Sequence, residues 1–102
     1  MDSYHVYLSP KAKVMLEAHI DFLAQVSTEA AVHMKEEFLK ALHSLEMMPL
    51  RYPVLVSEYI KYGKYRKMLV EKRYLVIYQV KENTVYVDAI VECRTNYHWL
   101  LK

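Results

Sequence analysis

Glycine and cysteine are scarce in this chain of 102 residues. Its only glycine is Gly63, which excludes the glycine-rich loops that cradle nucleotide phosphates. Its only cysteine is Cys93, so no internal disulfide forms, and we expect the protein to act in the reducing cytoplasm. No run of about 18 apolar residues occurs, so we expect no membrane-spanning helix and no membrane partner. The N-terminus has no apolar signal region, and we therefore expect no export.

Metal ligands are also sparse. The spacing of the histidines at positions 5, 19, 33 and 43 is not typical of metal sites, and there is no second cysteine. We therefore expect neither a metal ion nor another cofactor.

The composition predicts one globular domain over residues 1–102, with 54% hydrophobic and 25% charged residues. The charges are unevenly distributed along the chain. Residues 1–50 carry four Lys/Arg and seven Asp/Glu, whereas residues 51–102 carry ten and five. This asymmetry fits either an ordinary solvated surface or a basic patch for nucleic acid or an acidic protein.

The first half of the chain predicts a strand and two helices. Residues 4–8 alternate as in a short strand, and Ser9 and Pro10 are typical of a helix start. A second start follows at Ser27, and Pro49 ends that helix after Met48. The apolar stripes of the two helices comprise Met15, Leu16, Ile20, Phe22, Leu23 and Val26, and then Ala31, Met34, Phe38, Ala41, Leu42, Leu45 and Met48. Because almost nothing separates the helices, they should form an antiparallel hairpin.

The second half predicts a sheet. Residues 51–63 are irregular, and three β-rich runs then cover residues 65–70, 73–80 and 84–91. Short turns between these runs make them an antiparallel meander. In the last strand, strict alternation places Val85, Val87, Ala89 and Val91 on the face that packs on the helices. The fold class is therefore α+β: an N-terminal strand, a helix hairpin and a three-stranded meander.

Three arginines and the C-terminal segment are the candidate functional residues. If the strand registers align, Arg66, Arg73 and Arg94 converge on one side of the sheet, where guanidinium groups suit phosphate oxygens. They fit a solvated surface equally well. Tyr97 and His98 are candidates for proton transfer or base stacking, or simply belong to a tail packed on the core. We expect Cys93 to be a small buried residue at a strand end.

These elements and their order resemble the RelE/ParE family of bacterial toxins, the toxic halves of type II toxin–antitoxin (plasmid stabilisation) modules. The resemblance rests on residues 41–49, 74–80, 85–94 and 96–101 and extends over nearly the whole chain. It implies the RelE/ParE-like α+β fold, and it implies growth arrest as the function.

The resemblance also implies a pattern of site residues. RelE-like members cut messenger RNA on the ribosome without a metal, using basic residues on the meander and a terminal tyrosine or histidine. Here Arg66, Arg94 and Tyr97 or His98 match that pattern, but Met68 and Leu75 occupy two positions where a cation is expected. Arg73, two residues before Leu75, is the candidate replacement.

The sequence is consistent with three functions, two of a toxin and one of a non-toxic protein. ParE-like members inhibit DNA gyrase and need no catalytic residues of their own, and the missing cations favour that branch. The alternative is a ribosome-dependent endoribonuclease, and the third is a non-toxic binding module. Either toxin function implies a cognate antitoxin whose extended segment covers exposed apolar positions on the helices and the sheet edge. Those positions also predict self-association or a hetero-oligomer with the antitoxin.

Overall fold

A computed structural model describes residues 3–94, so the predictions for Tyr97 and His98 lie outside the described residues. The elements are β1 (His5–Leu8), α1 (Pro10–Val26), α2 (Thr28–Ser44), a 3-10 helix (Pro49–Arg51), β2 (Arg66–Val70), β3 (Tyr74–Lys81) and β4 (Thr84–Glu92). The sheet order is β1-β4-β3-β2. Strand β1 is parallel to β4, and the other neighbours are antiparallel. The predicted α+β fold is confirmed. Within residues 3–94, every helix is too short or too polar to cross a membrane.

Both helices begin where the sequence predicted. The hydroxyl of Ser9 accepts a hydrogen bond from the backbone N–H of Ala12, and Pro10 occupies the first turn of α1. Ser27 ends α1 and begins α2, where its hydroxyl accepts from the N–H of Ala30. With only Ser27 between them, the two helices pack against each other as a hairpin.

The predicted helix ends and stripes need correction. Helix α2 ends at Ser44 and not at Met48. The reason is that Leu45 and Glu46 bond to carbonyls three residues back, which tightens the chain before Pro49 starts the 3-10 helix. In α1, Phe22 is 56% exposed because it lies about 200° around the helix from Ile20.

Tyr74 lies at the centre of the core between the helices and the sheet. It is 1% exposed, and its ring centroid is 4.7 Å from that of His19 in α1 and 5.4 Å from that of Phe38 in α2. The His19 Nε2–H donates to the carbonyl oxygen of Ile90 at 2.8 Å. Strand β1 pairs with β4 only as far as Val87. Beyond that point, the His19 side chain provides the hydrogen-bond partner for a backbone carbonyl at the edge of β4.

Strand β4 contains a bulge that reverses the side-chain alternation. Tyr78 pairs with Val87 and Ile77 with Ala89, so Asp88 is the extra residue. The face prediction for β4 is therefore half wrong. Val85 and Val87 pack on the helices as expected, but Ala89 and Val91 pack on the opposite face, where they join a second apolar cluster.

The segment before β2 covers that opposite face. Leu55, Ile60 and Tyr65 pack there against Leu75 and Ile77 of β3 and against the end of β4. The backbone of the segment bonds to β2, through Leu55 N–H to Tyr65 O (2.8 Å) and Lys67 N–H to Pro53 O (3.0 Å). Gly63 within it has φ +85°, a conformation that glycine adopts without strain. The sheet is consequently covered on both faces.

The buried tyrosine of this second cluster makes stability sensitive to alkali. Tyr65 is 4% exposed, and burial, aided by its hydrogen bond to the Asp88 carboxylate, raises its pKa from 10.0 to about 12. Above pH 10 the unfolded chain loses the phenol proton while the folded chain keeps it. The free energy of unfolding should therefore be undiminished below pH 10 and fall as the pH rises towards 12. Urea unfolding followed across this range measures the fall.

The Tyr65→Phe variant is the control for that prediction. It should be less stable at neutral pH, because it leaves an Asp88 acceptor unpaired, and its stability should fall less steeply above about pH 10. The fall should persist in part, since burial also raises the pKa of Tyr74 and of Tyr78. An identical alkaline slope in wild type and variant would contradict the assignment to Tyr65.

Candidate functional site

Arg66 lies on the helix side of the sheet and makes hydrogen bonds within the protein. Its Nη1 donates to the carbonyl oxygen of Tyr52 at 2.6 Å and to that of Leu50 at 3.2 Å. These bonds tie the start of β2 to the 3-10 helix and to the residue that follows it. The same region is anchored by the Tyr78 hydroxyl, which donates to the carbonyl of Pro49 at 2.6 Å. Arg66 thus supports the backbone in this structure.

Arg73 and Arg94 come together at the other end of the sheet. They line one cleft of about 360 Å³ with Lys72, Glu92 and Cys93. The Cys93 N–H donates to the Arg73 carbonyl at 2.8 Å, which holds the two chain segments together. The Arg73 guanidinium stacks on the Tyr74 ring at 5.3 Å from its centroid. Three cationic residues in one concave site, beside a single carboxylate, suit an anionic group such as a phosphate.

The three arginines therefore do not converge as predicted. Arg66 is separated from the cleft by the length of β2, roughly 13 Å at about 3.3 Å per residue. Cys93 is exposed and not buried as expected, because it lies in the turn after β4. Its thiol donates to the carbonyl of Lys72 at 3.7 Å.

The two positions without the expected cations are part of the apolar core. Met68 is 1% exposed and packs in the helix-side core, and Leu75 is 8% exposed in the cluster on the opposite face. A charged group at either place would have to be buried, at a cost of several kcal/mol or a large shift of its pKa. At these positions the structure has no room for a solvated cation.

A second basic surface lies on the side of the sheet away from the helices. A depression of about 560 Å³ is lined by Tyr59–Lys64 together with Gln79 and Lys81. Its cations are Lys61, Lys64 and Lys81. Among the described residues 51–94, the positive charge is thus spread over several places and does not form one face. The alternating tyrosines and lysines of residues 59–64 are the sequence signal that would have indicated this surface.

Two apolar grooves flank α2 and meet at Leu39, which is 57% exposed. One lies between β1 and α2 and is lined by Val6, Leu8, Leu39 and Leu42, with Lys40, His43 and Glu46 at its margin. The other lies between α1 and α2 and is lined by Leu16, Ile20, Phe38 and Leu39, with Glu17, Asp21 and Lys35 at its margin. The two grooves share Leu39, and the surface that they make up, here named the channel along α2, has an apolar floor and charged borders, the shape that accepts an amphipathic segment.

Within residues 3–94, the fold also brings together one group of side chains of the types that bind metals. The ligand atoms of His33 and Glu37 on α2 and of Glu71 in the β2–β3 turn all lie within 4.8 Å of one another. No local pattern in the sequence indicates this group, because Glu71 is distant from the other two residues along the chain.

Comparison with known proteins assigns the chain to a family. The model of the ParE toxin family of type II toxin–antitoxin systems, parDE, matches residues 6–97. The chain belongs to this family. Among solved structures, it is similar to the chromosomal ParDE toxin–antitoxin system from P. aeruginosa, with a TM-score of 0.71 and 16% sequence identity. That match covers 87% of this chain and 95% of the other, and at this identity it concerns the fold. Curated protein sequences gave no significant match.

In this member of the ParE family, Arg66 and Arg73 should respond differently to replacement by alanine. Arg66→Ala removes two charge-assisted hydrogen bonds to backbone carbonyls and should lower the free energy of unfolding by about 2 kcal/mol. Arg73→Ala removes an exposed side chain and should change it by less than about 0.5 kcal/mol. Urea unfolding measures both. Equal losses would show that Arg66 does not have the supporting role assigned to it.

Proposed function

We propose that this protein is the toxin of a type II toxin–antitoxin module and that it arrests growth by inhibiting DNA gyrase. The observation that carries the proposal is the match of the ParE toxin family to residues 6–97. The burial of Met68 and Leu75 supports the choice of target, because two cations expected of a ribonuclease toxin are replaced by core residues. Inhibition by binding needs a complementary surface and no catalytic group of its own.

The surface that we assign to the target is the basic end of the sheet. Arg73 and Arg94, with Lys72, present positive charge in a concave cleft. Within residues 3–94, neither guanidinium group bonds to backbone carbonyls as that of Arg66 does. They are therefore suited to an acidic surface of gyrase or to the DNA that gyrase holds.

The same cleft supports the alternative function. A ribosome-dependent endoribonuclease needs cations to stabilise a crowded phosphate while the ribose 2′-hydroxyl attacks it. Arg73 and Arg94 provide two such cations, and Tyr97 or His98 would transfer the protons. In that function the cleft, and not Arg66, holds the scissile phosphate.

We further propose that the channel along α2 binds the cognate antitoxin. Its floor is formed by the half-buried side chains of Val6, Leu8, Leu16 and Ile20, with the exposed Leu39 between them, and apolar surface of this kind is typical of an interaction site. Residues of both signs border the channel, which fits an amphipathic segment whose polar side remains at the surface. A segment of this kind that folds on binding can cover a large area while remaining removable by proteolysis.

The target is tested by inducible expression and by assays with purified protein. We expect growth arrest with an SOS response, and inhibition of supercoiling by purified gyrase, with translated messenger RNA left intact. Arg73→Ala combined with Arg94→Ala should weaken gyrase inhibition by at least about tenfold, the effect of losing about 1.4 kcal/mol of binding. Intact supercoiling together with cuts in ribosome-bound messages would instead establish the endoribonuclease. Absence of arrest would contradict both toxin functions.

The antitoxin channel is tested by a charge at its centre. Leu39→Glu should abolish neutralisation by the co-expressed antitoxin while growth arrest remains, because it buries a carboxylate in the interface. Leu50→Glu is the matched control, since Leu50 is 54% exposed and lies outside the channel. Neutralisation of the Leu39→Glu variant as efficient as that of the control would exclude this surface.

A further inference from the structure

His33, Glu37 and Glu71 form a three-ligand cluster that joins two elements. His33 and Glu37 are four residues apart on α2, so their side chains lie one above the other on the same helix face. Paired ligands at this spacing are used by helical zinc sites. Glu71 approaches them from the tight turn between β2 and β3, where the Arg73 N–H donates to the Val70 carbonyl at 3.1 Å.

The separation of the ligand atoms suits a transition-metal ion. Nε2 of His33 and Oε1 of Glu71 are 3.3 Å apart. Bonds of about 2.1 Å place two ligands of a tetrahedral zinc ion about 3.4 Å apart. All three ligand atoms lie within 4.8 Å of one another, a spacing that small side-chain rotations close around one ion.

The local charge also favours a cation. Two carboxylates and an imidazole face each other, and the neighbouring cation Lys40 bonds to Oε2 of Glu37 at 3.1 Å. A carboxylate has a second oxygen, so this bond leaves Glu37 able to bind a metal.

We propose that His33, Glu37 and Glu71 bind one divalent transition-metal ion of the zinc class, with water as the remaining ligand. The imidazole favours zinc over magnesium or calcium, which prefer all-oxygen sites. The ion would tie the β2–β3 turn to α2 and so fix the turn that carries Lys72 and Arg73 of the basic cleft. This site is independent of the target proposed for the toxin.

Titration of the purified full chain with Zn²⁺ tests the site. Calorimetry should show one ion per chain, and His33→Ala and Glu71→Gln should each weaken its affinity by at least about 100-fold, as expected on loss of a direct ligand. Since His33 is exposed, the variants should keep the wild-type circular dichroism spectrum. Co²⁺ in place of Zn²⁺ should give the visible absorption of a tetrahedral site in wild type and not in the variants.

His43→Ala is the matched control. Nδ1 of His43 lies 3.1 Å from Oε1 of Glu46 on the same helix, and this His–Glu pair is not part of the three-ligand group. The variant should therefore retain wild-type affinity. The proposal is overturned if Zn²⁺ does not bind, or if it binds wild type, His33→Ala and Glu71→Gln equally, which would place the ion at another site such as the exposed Cys93. Because the readouts are affinity and absorption, they do not depend on toxicity.

Discussion

The bulge at Asp88 is the constraint on which the arrangement of the whole domain depends. It lets one strand serve two cores: Val87 packs on the helices, and Ala89 packs on the cluster of the opposite face. The bulged residue, Asp88, accepts hydrogen bonds from two side chains that are distant in the sequence or on the neighbouring strand. The Ser9 hydroxyl donates to the Asp88 carbonyl at 3.2 Å, and the Gln79 side chain donates to its carboxylate at 3.0 Å. The residue that caps α1 therefore also stabilises the bulge, so the helix start and the reversal of β4 are coupled.

This coupling determines which surfaces remain open for function. Helices α1 and α2 cover one face of the sheet, and the segment before β2 covers the other, so no broad sheet face is left to bind a partner. Within residues 3–94, the concave surfaces that remain open include the channel along α2, the basic cleft at one end of the sheet and the depression lined by Tyr59–Lys64. The arginines also differ in their surroundings. Arg66 bonds to backbone carbonyls, whereas Arg73 and Arg94 line a cleft. Arg73 and Arg94 do not support the backbone in this way, and their positive charge is therefore available to bind a partner.

The candidate site could be predicted in part. Met68 and Leu75 are visible in the sequence as departures from the RelE pattern, and their burial shows that apolar residues are required there for packing. The support given by Arg66 was not predictable, because it depends on where the chain after Pro49 passes. Likewise, His33 and Glu37 become a site only when the β2–β3 turn brings Glu71 beside α2. Contacts between residues distant in sequence leave no local pattern.

The sequence by itself determined the elements of this protein. Capping by Ser9 and Ser27, the apolar periodicity of the helices and the β-rich runs after Gly63 are local properties, and local physics is sufficient to place them. The resemblance to the RelE/ParE family could also be recognised from the sequence alone. The tertiary structure decided the pairing of β1 with β4, the two faces of β4 and the division of the arginines. These depend on register, and a single extra residue at Asp88 changes the face of every residue that follows it.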